Sequence, residues 1–213
     1  MNTGVEVALL VPVAYFLGTF PSAAIVARRR GVDVNAEGSG NPGASNTFRL
    51  LGWKAGALVF GLDALKGALA AGIGLAVDGH RGAYVLGVAA ILGHMLPVTR
   101  KFKGGRGVAT GGGVMLVLFP ALTLAMTALW IVLAKVTHKA SIASVTVAIV
   151  FPIGVALAGH EFGDVVVITV LALLVVGRHL SNLRRLVKGE EFGLDAGESG
   201  APEPDVGDER AAS

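Results

Sequence analysis

From residue 108 to residue 134 the chain runs without a charged side chain. Buried helices of soluble proteins need only about 10–14 apolar residues, whereas roughly 20 cross the hydrocarbon of a bilayer. The run is not alone. Residues 5–27, 54–77, 83–98 and 142–158 are also largely apolar, and a last stretch ends near Val176. Charged residues make up 15% of the chain, well below the roughly 25% of soluble domains. These features predict an all-α integral membrane protein. Strand-like alternation is absent, which argues against a membrane β-barrel. The first run is too long for a cleavable signal, and its positive charges follow it instead of preceding it. Without cysteine the chain forms no disulfide, no thioester intermediate and no Cys-based metal site.

Charge then orients the spans. Arg28, Arg29 and Arg30 follow the first run, RKFKGGRG occupies residues 100–107, and RHLSNLRRLVK follows the last run. If 108–134 is one tilted helix, the last cluster falls on the opposite side from the other two. If it is a hairpin broken near Phe119 and Pro120, all three fall on one side, as the positive-inside rule favours. The expectation is seven spans, several of them short, with the N-terminus outside and the C-terminus cytoplasmic. Residues 1–188 read as one membrane domain. Residues 189–213 hold eight of the chain's acids and one base and read as a disordered acidic tail. The domain before it is strongly basic, which suits anionic lipids and anionic substrates without pointing to nucleic acid.

Three polar segments then meet at the cytoplasmic face. In the first, Gly38, Gly40 and Gly43 alternate with Ser39, Asn41, Ser45 and Asn46, and a helix is expected at TFRLLGW with Arg49 one turn inside. Glycine lets a backbone approach a ligand closely, and a helix N-terminus is a seat for phosphate. The second, FKGGRGVAT, sets Lys103 and Arg106 among Gly104, Gly105 and Gly107 before another helix. The third is RHLSNLRRL, where one helix would place Arg178, Asn182 and Arg185 on a shared face beside His179. Ser141 and Ser144 form a lesser fourth piece. Gly67, Gly72, Gly74 and Gly87 read as helix-packing glycines. Arg28–Arg30, Lys135 and Lys188 read as topology signals, and His80, His138 and His160 as interfacial. His94 fits either a cap or the site. Asp63 and Lys66, at i,i+3 inside a span, fit either mutual support or substrate contact.

In this order and spacing, SGNPGASNTFR, DALKG, GH-x-x-P with FKGGRGVAT, and RHLSNLRRLVKGEE resemble the bacterial acyl-phosphate:glycerol-3-phosphate acyltransferase family (PlsY-type). The likeness runs to about Glu191. It implies an enzyme of the cytoplasmic membrane that moves a fatty acyl group from acyl phosphate to the 1-hydroxyl of glycerol 3-phosphate. The products would be lysophosphatidate and inorganic phosphate, with no cofactor. The family's first motif falls on Ser39, Gly40, Asn41, Gly43, Asn46 and Arg49. Its second falls on Lys103, Gly104, Gly105, Arg106, Gly107 and Thr110, and its third on His179, Asn182, Arg185 and Leu186. Position 106 is Arg where the family commonly has Lys, so a planar fork replaces a compact ammonium. Position 45 is Ser in place of Thr.

On that resemblance Ser39, His179 and Asn182 are the expected catalytic residues. Gly40, Asn41, Gly43, Asn46, Arg49, Lys103, Gly104, Gly105, Arg106, Gly107, Ser144 and Arg185 are the expected substrate contacts. An acyl phosphate is already activated, so positioning two anions and stabilising developing charge carry most of the reaction, without an acyl-enzyme. The proton acceptor is His179 or a substrate phosphate oxygen. No carboxylate cluster suggests a metal, and no His has Asp five residues on. A transporter or channel for a phosphorylated solute is the alternative, since such proteins also use broken, glycine-interrupted helices. A lipid-binding structural protein would leave the hydroxyl, amide and histidine set unused.

Overall fold

The computed structural model describes residues 2–194, with no strand among them. The first apolar run is not continuous. α1 (Thr3–Gly18) stops before Pro21 and α2 (Ser22–Arg28) starts after it. Proline has no N–H and breaks the ladder. Two carbonyls at the break accept from cations elsewhere in the chain: Thr19 from Arg100 at 3.3 Å and Phe20 from Lys66 at 3.2 Å. Hydropathy alone does not see such a break.

α3 (Ala44–Met95) departs from helical dihedrals at Gly52, Asp78 and Gly79. The second departure is the predicted turn DGHRG. A Cβ built on Gly74 would overlap the Gly82 carbonyl; eight residues of straight helix span about 12 Å, so the chain reverses there. α4 (Val108–Leu118) and α5 (Pro120–Thr137) are separated at Phe119, whose φ of −136° and ψ of 64° interrupt the run. Phe119 meets the His160 ring edge-on at 4.8 Å, in the turn at residues 158–161. The far ends of α4 and α5 both lie by the basic loops. Residues 108–134 therefore form a hairpin, the arrangement the charge argument requires. α6 (Ala140–Leu157) and α7 (Phe162–Arg178) follow, and α8 (Leu180–Val187) leaves α7 at 53°.

Two groups of helices result. α1, α2 and α4 pack on α3, while α5, α6 and α7 pack in sequence, and a cleft runs between the groups. At the end away from the basic loops, Leu118, Phe119, Phe151 and Val155 close the core. Without a hydrophobic drive between helices in lipid, close backbone approach matters most. Gly67 lies against the Thr110 carbonyl and Gly113 against the Ala64 carbonyl, which brings α3 and α4 together. Gly74 and Gly87 also sit at contacts, as expected, but nothing lies within 4 Å of a Cβ on Gly72. Gly67→Ala is expected to cost about 1–3 kcal/mol by overpacking. Gly72→Ala is expected to be neutral or slightly stabilising. Thermal melting of the two purified variants compares them directly.

Candidate active site

Three helices begin at the head of the cleft. α3 starts after Gly43, α4 after Gly107 and α6 after Lys139, and among the described residues none of these N-termini carries a side-chain cap. First-turn residues of all three line the cleft, so unpaired N–H groups and positive dipole ends gather there. Asn41, Ser45, Arg106, Ser144 and His179 line the same head. Deeper, the walls are apolar, with Ile91, Met115, Val147, Phe151, Ile168 and Leu171. One end suits an anion and the other a hydrocarbon chain.

The first loop is shaped from within. The buried Asn46 accepts from the Ser39 N–H at 2.9 Å and donates to the Val34 and Glu37 carbonyls at 3.1 and 3.0 Å. Its amide is thus engaged with the loop, and Asn41 and Ser45 are the side chains of this segment on the cleft. Gly40 sits at φ 65°, beside the Ser39 hydroxyl, which is buried with no hydrogen-bond partner among the described residues.

The second loop is gripped from two sides. Arg178 donates to the Gly104 and Gly105 carbonyls at 2.9 and 3.2 Å, and the Gly105 N–H donates to the His94 carbonyl at 3.1 Å. Gly104 and Gly105 are buried, Lys103 is exposed, and Arg106 lines the cleft. Burial pushes the Arg106 guanidinium down to about 10, against the pull of Glu191. It remains a cation at neutral pH. Thr110, from the same motif, is fully buried beneath the α4 start.

The expected single helix through the third motif is broken at His179, whose φ is −99° and ψ 3°. Arg178 turns to the second loop, while Asn182 and Arg185 turn elsewhere. His179 is 1% exposed, with Nδ1 2.7 Å from the Val175 carbonyl. A carbonyl only accepts, so the proton is assigned to Nδ1 and Nε2 is left as an acceptor. Burial pushes His179 down to about 4; Arg106 and Arg178 add to this, and the Val175 bond and Glu191 oppose it.

Asn182 and Arg185 hold an acid that sequence reasoning assigned to the tail. Asn182 donates to one carboxylate oxygen of Glu191 at 2.6 Å, and Arg185 to the other at 3.0 Å. Lys139 donates to the Glu191 carbonyl, and Arg49 to the Gly193 carbonyl. The Phe192 ring has the Arg49 and Arg185 guanidiniums at 5.7 and 5.2 Å. Glu191, which the sequence reading placed in the tail, is buried, and residues 191–193 contact Asn182, Arg185, Lys139 and Arg49. Residues 195–213 lie outside the described residues. Arg49 Nη1, Arg185 Nη2 and Asn182 Oδ1 are buried without a partner among the described residues. Trp130, also unforeseen, donates to the Ser144 hydroxyl at 2.9 Å and lines the cleft.

Comparison with known proteins places this geometry. The profile of a family described as glycerol-3-phosphate acyltransferase matches residues 8–189. A glycerol-3-phosphate acyltransferase of Bacillus subtilis (strain 168) is 38% identical over 186 residues, covering 87% of this chain and 96% of the relative. One from Shewanella sediminis (strain HAW-EB3) is 40% identical over 184 residues, covering 85% and 91%. The crystal structure of PlsY (YgiH), an integral membrane glycerol 3-phosphate acyltransferase in its glycerol 3-phosphate form, superposes with a TM-score of 0.84. It is 37% identical, and the match covers 88% of this chain and 95% of that one. The same protein in a lysophosphatidic acid form superposes at 0.82.

Proposed function

From the premise that the chain belongs to the glycerol-3-phosphate acyltransferase family, we propose that its acyl donor is an acyl phosphate and that the reaction occurs at the cytoplasmic face of the inner membrane. The enzyme transfers an acyl group to glycerol 3-phosphate, as a bacterial membrane protein. The observation that carries the finer reading is the cleft itself, with three uncapped helix N-termini and Arg106 at its head and apolar walls below. Such a shape takes an amphiphile whose charged group and reacting carbonyl lie at the head. The unpaired Ser39, Arg49 and Arg185 donors support a second phosphate nearby. The second glycine loop at residues 103–107, with Arg106, is read as the seat of the glycerol 3-phosphate phosphate, beside the acyl phosphate at the head of the cleft.

The 1-hydroxyl oxygen of glycerol 3-phosphate attacks the acyl carbonyl, the bond from carbonyl carbon to phosphate oxygen breaks, and inorganic phosphate leaves. His179 Nε2 accepts the hydrogen bond of the attacking hydroxyl and orients it. A group held at about 4 is a weaker base than a phosphate, whose second ionisation lies near pH ~6. The proton therefore ends on the departing phosphate. N–H groups of the glycine loops and Arg106 stabilise the charge that develops. Asn182 and Arg185 act through Glu191, which fixes the wall beside Arg49.

The spans are read as seven, with the loops of the site cytoplasmic. Purified protein given acyl phosphate and glycerol 3-phosphate is expected to release phosphate and lysophosphatidate in equal amounts. Acyl-CoA is expected to give no product; equal rates from both donors refute the donor assignment. A thiol label reacting with Asn182→Cys only from outside the cell refutes the face.

A further inference from the structure

Lys66 is 3% exposed inside α3, and its three ammonium hydrogens have three acceptors. These are Asp63 Oδ1 at 2.7 Å, His94 Nδ1 at 2.9 Å and the Phe20 carbonyl at 3.2 Å. The Ser22 hydroxyl holds the same Asp63 oxygen at 2.8 Å. An ammonium cannot accept, so Nδ1 of His94 is the acceptor and its N–H sits on Nε2. Mutual pairing satisfies these groups, but it does not account for them, since apolar residues of similar volume are often as stable or more so.

What the cluster reaches does account for it. His94 lies directly under the second glycine loop. A Cβ on Gly105 would overlap Nε2 of the imidazole, and one on Gly104 would overlap the His94 carbonyl. Gly105 also donates its N–H to that carbonyl. The next residue is Arg106. An unbroken series of contacts thus runs from α2 through Ser22, Asp63, Lys66 and His94 to the peptide that aims the guanidinium. Asp63 and His94 also reach the cleft wall.

We propose that Asp63, Lys66 and His94 form a buried positioning unit that sets the shape of the loop at residues 103–107 and hence its affinity for the phosphate of glycerol 3-phosphate. The proposal rests on the reading of that loop given above. Lys66 fixes the tautomer and tilt of His94, and His94 is the floor on which Gly104 and Gly105 rest.

The decisive variant is the neutral pair Asp63→Asn with Lys66→Met, which removes both charges together and so avoids a buried unpaired ion. It is expected to melt within a few degrees of the wild type while KM for glycerol 3-phosphate rises about tenfold. KM for acyl phosphate is expected to stay within about twofold. A glycerol 3-phosphate KM unchanged in a folded variant overturns the proposal. So does an equal rise for both substrates accompanied by a large fall in melting temperature.

A second arm needs no charge change. Gly105→Ala is expected to raise the same KM in the wild type and to add nothing further in a His94→Ala background. An equal added cost in both backgrounds overturns the contact's role. Should the wild type make no lysophosphatidate, the donor assignment fails separately. Glycerol 3-phosphate alone, read as a shift in melting temperature, still tests the unit across the same variants.

Discussion

Replacing His179 by alanine is expected to lower kcat/KM roughly 10²-fold or more while leaving the helices and their melting temperature nearly unchanged. Among the described residues the side chain has one hydrogen bond, to the Val175 carbonyl, and in the proposed mechanism its other nitrogen meets the substrate hydroxyl. What the variant loses is orientation of the nucleophile, which acts in the reaction and hardly in the fold. The pH profile gives an independent check. Burial holds His179 at about 4, so the neutral, accepting form dominates at every pH well above that value. Protonation removes the acceptor and activity falls, but only as pH approaches about 4. The free substrate's phosphate also titrates near pH ~6, so part of any acid limb is its own. The His179 component is the part present in kcat/KM of the wild type and missing from His179→Gln. It is expected below about pH 5. A component near 6.5, lost in the variant, contradicts the buried neutral imidazole. Phosphate release at limiting substrate, followed across pH for both proteins, makes the comparison.

The elements most legible in the sequence were those set by composition and local chemistry. An uncharged run of that length points to helix in lipid, and the basic clusters favoured a hairpin over a single tilted helix. The glycine loops announced helix N-termini because glycine, serine and asparagine cluster where a chain turns into a helix, and α3 and α4 do begin there. Other features depend on tertiary partners that local patterns do not encode. Asn46 resembles a ligand contact in the sequence, yet its amide is engaged by carbonyls of its own loop. The break after Gly18 lies inside an apolar stretch and is viable because Lys66 and Arg100 come from far along the chain to cover its carbonyls. Arg178, Asn182 and Arg185 lie on one notional helix face beside His179, but the chain bends at His179, so Arg178 turns to the second glycine loop while Asn182 and Arg185 hold Glu191. Asp63 and Lys66 were visible as a pair; that His94 completes it required knowing which spans touch.

Glu191 was hidden most completely, and its removal carries the other large expected effect. In sequence it follows Glu190 at the start of an acidic run, where a carboxylate reads as a solvated charge. In the fold it is 4% exposed and takes donors from Asn182 and Arg185 on its two oxygens. Arg49 and Arg106 also feel its charge. Glu191→Gln keeps the shape and removes the anion, leaving partly buried guanidiniums to repel one another. Breaking a buried pair by removing one partner costs about 3–5 kcal/mol. Arg185 keeps some contact with solvent, so the lower end, about 3 kcal/mol, is the expected loss. At roughly 2–4 °C per kcal/mol for a chain of this size, the melting temperature falls by about 6–12 °C. Activity falls with it, because Asn182 and Arg49 lose the fixed segment at residues 191–193 against which they are set. Glu190→Gln, at an exposed neighbour, is the matched control and is expected to leave both quantities unchanged. Inorganic phosphate separates a missing counter-ion from a general packing defect: millimolar phosphate would raise the melting temperature of Glu191→Gln more than that of the wild type, because the orphaned guanidiniums accept any suitable anion. An equal shift in both proteins means the carboxylate was not neutralising them.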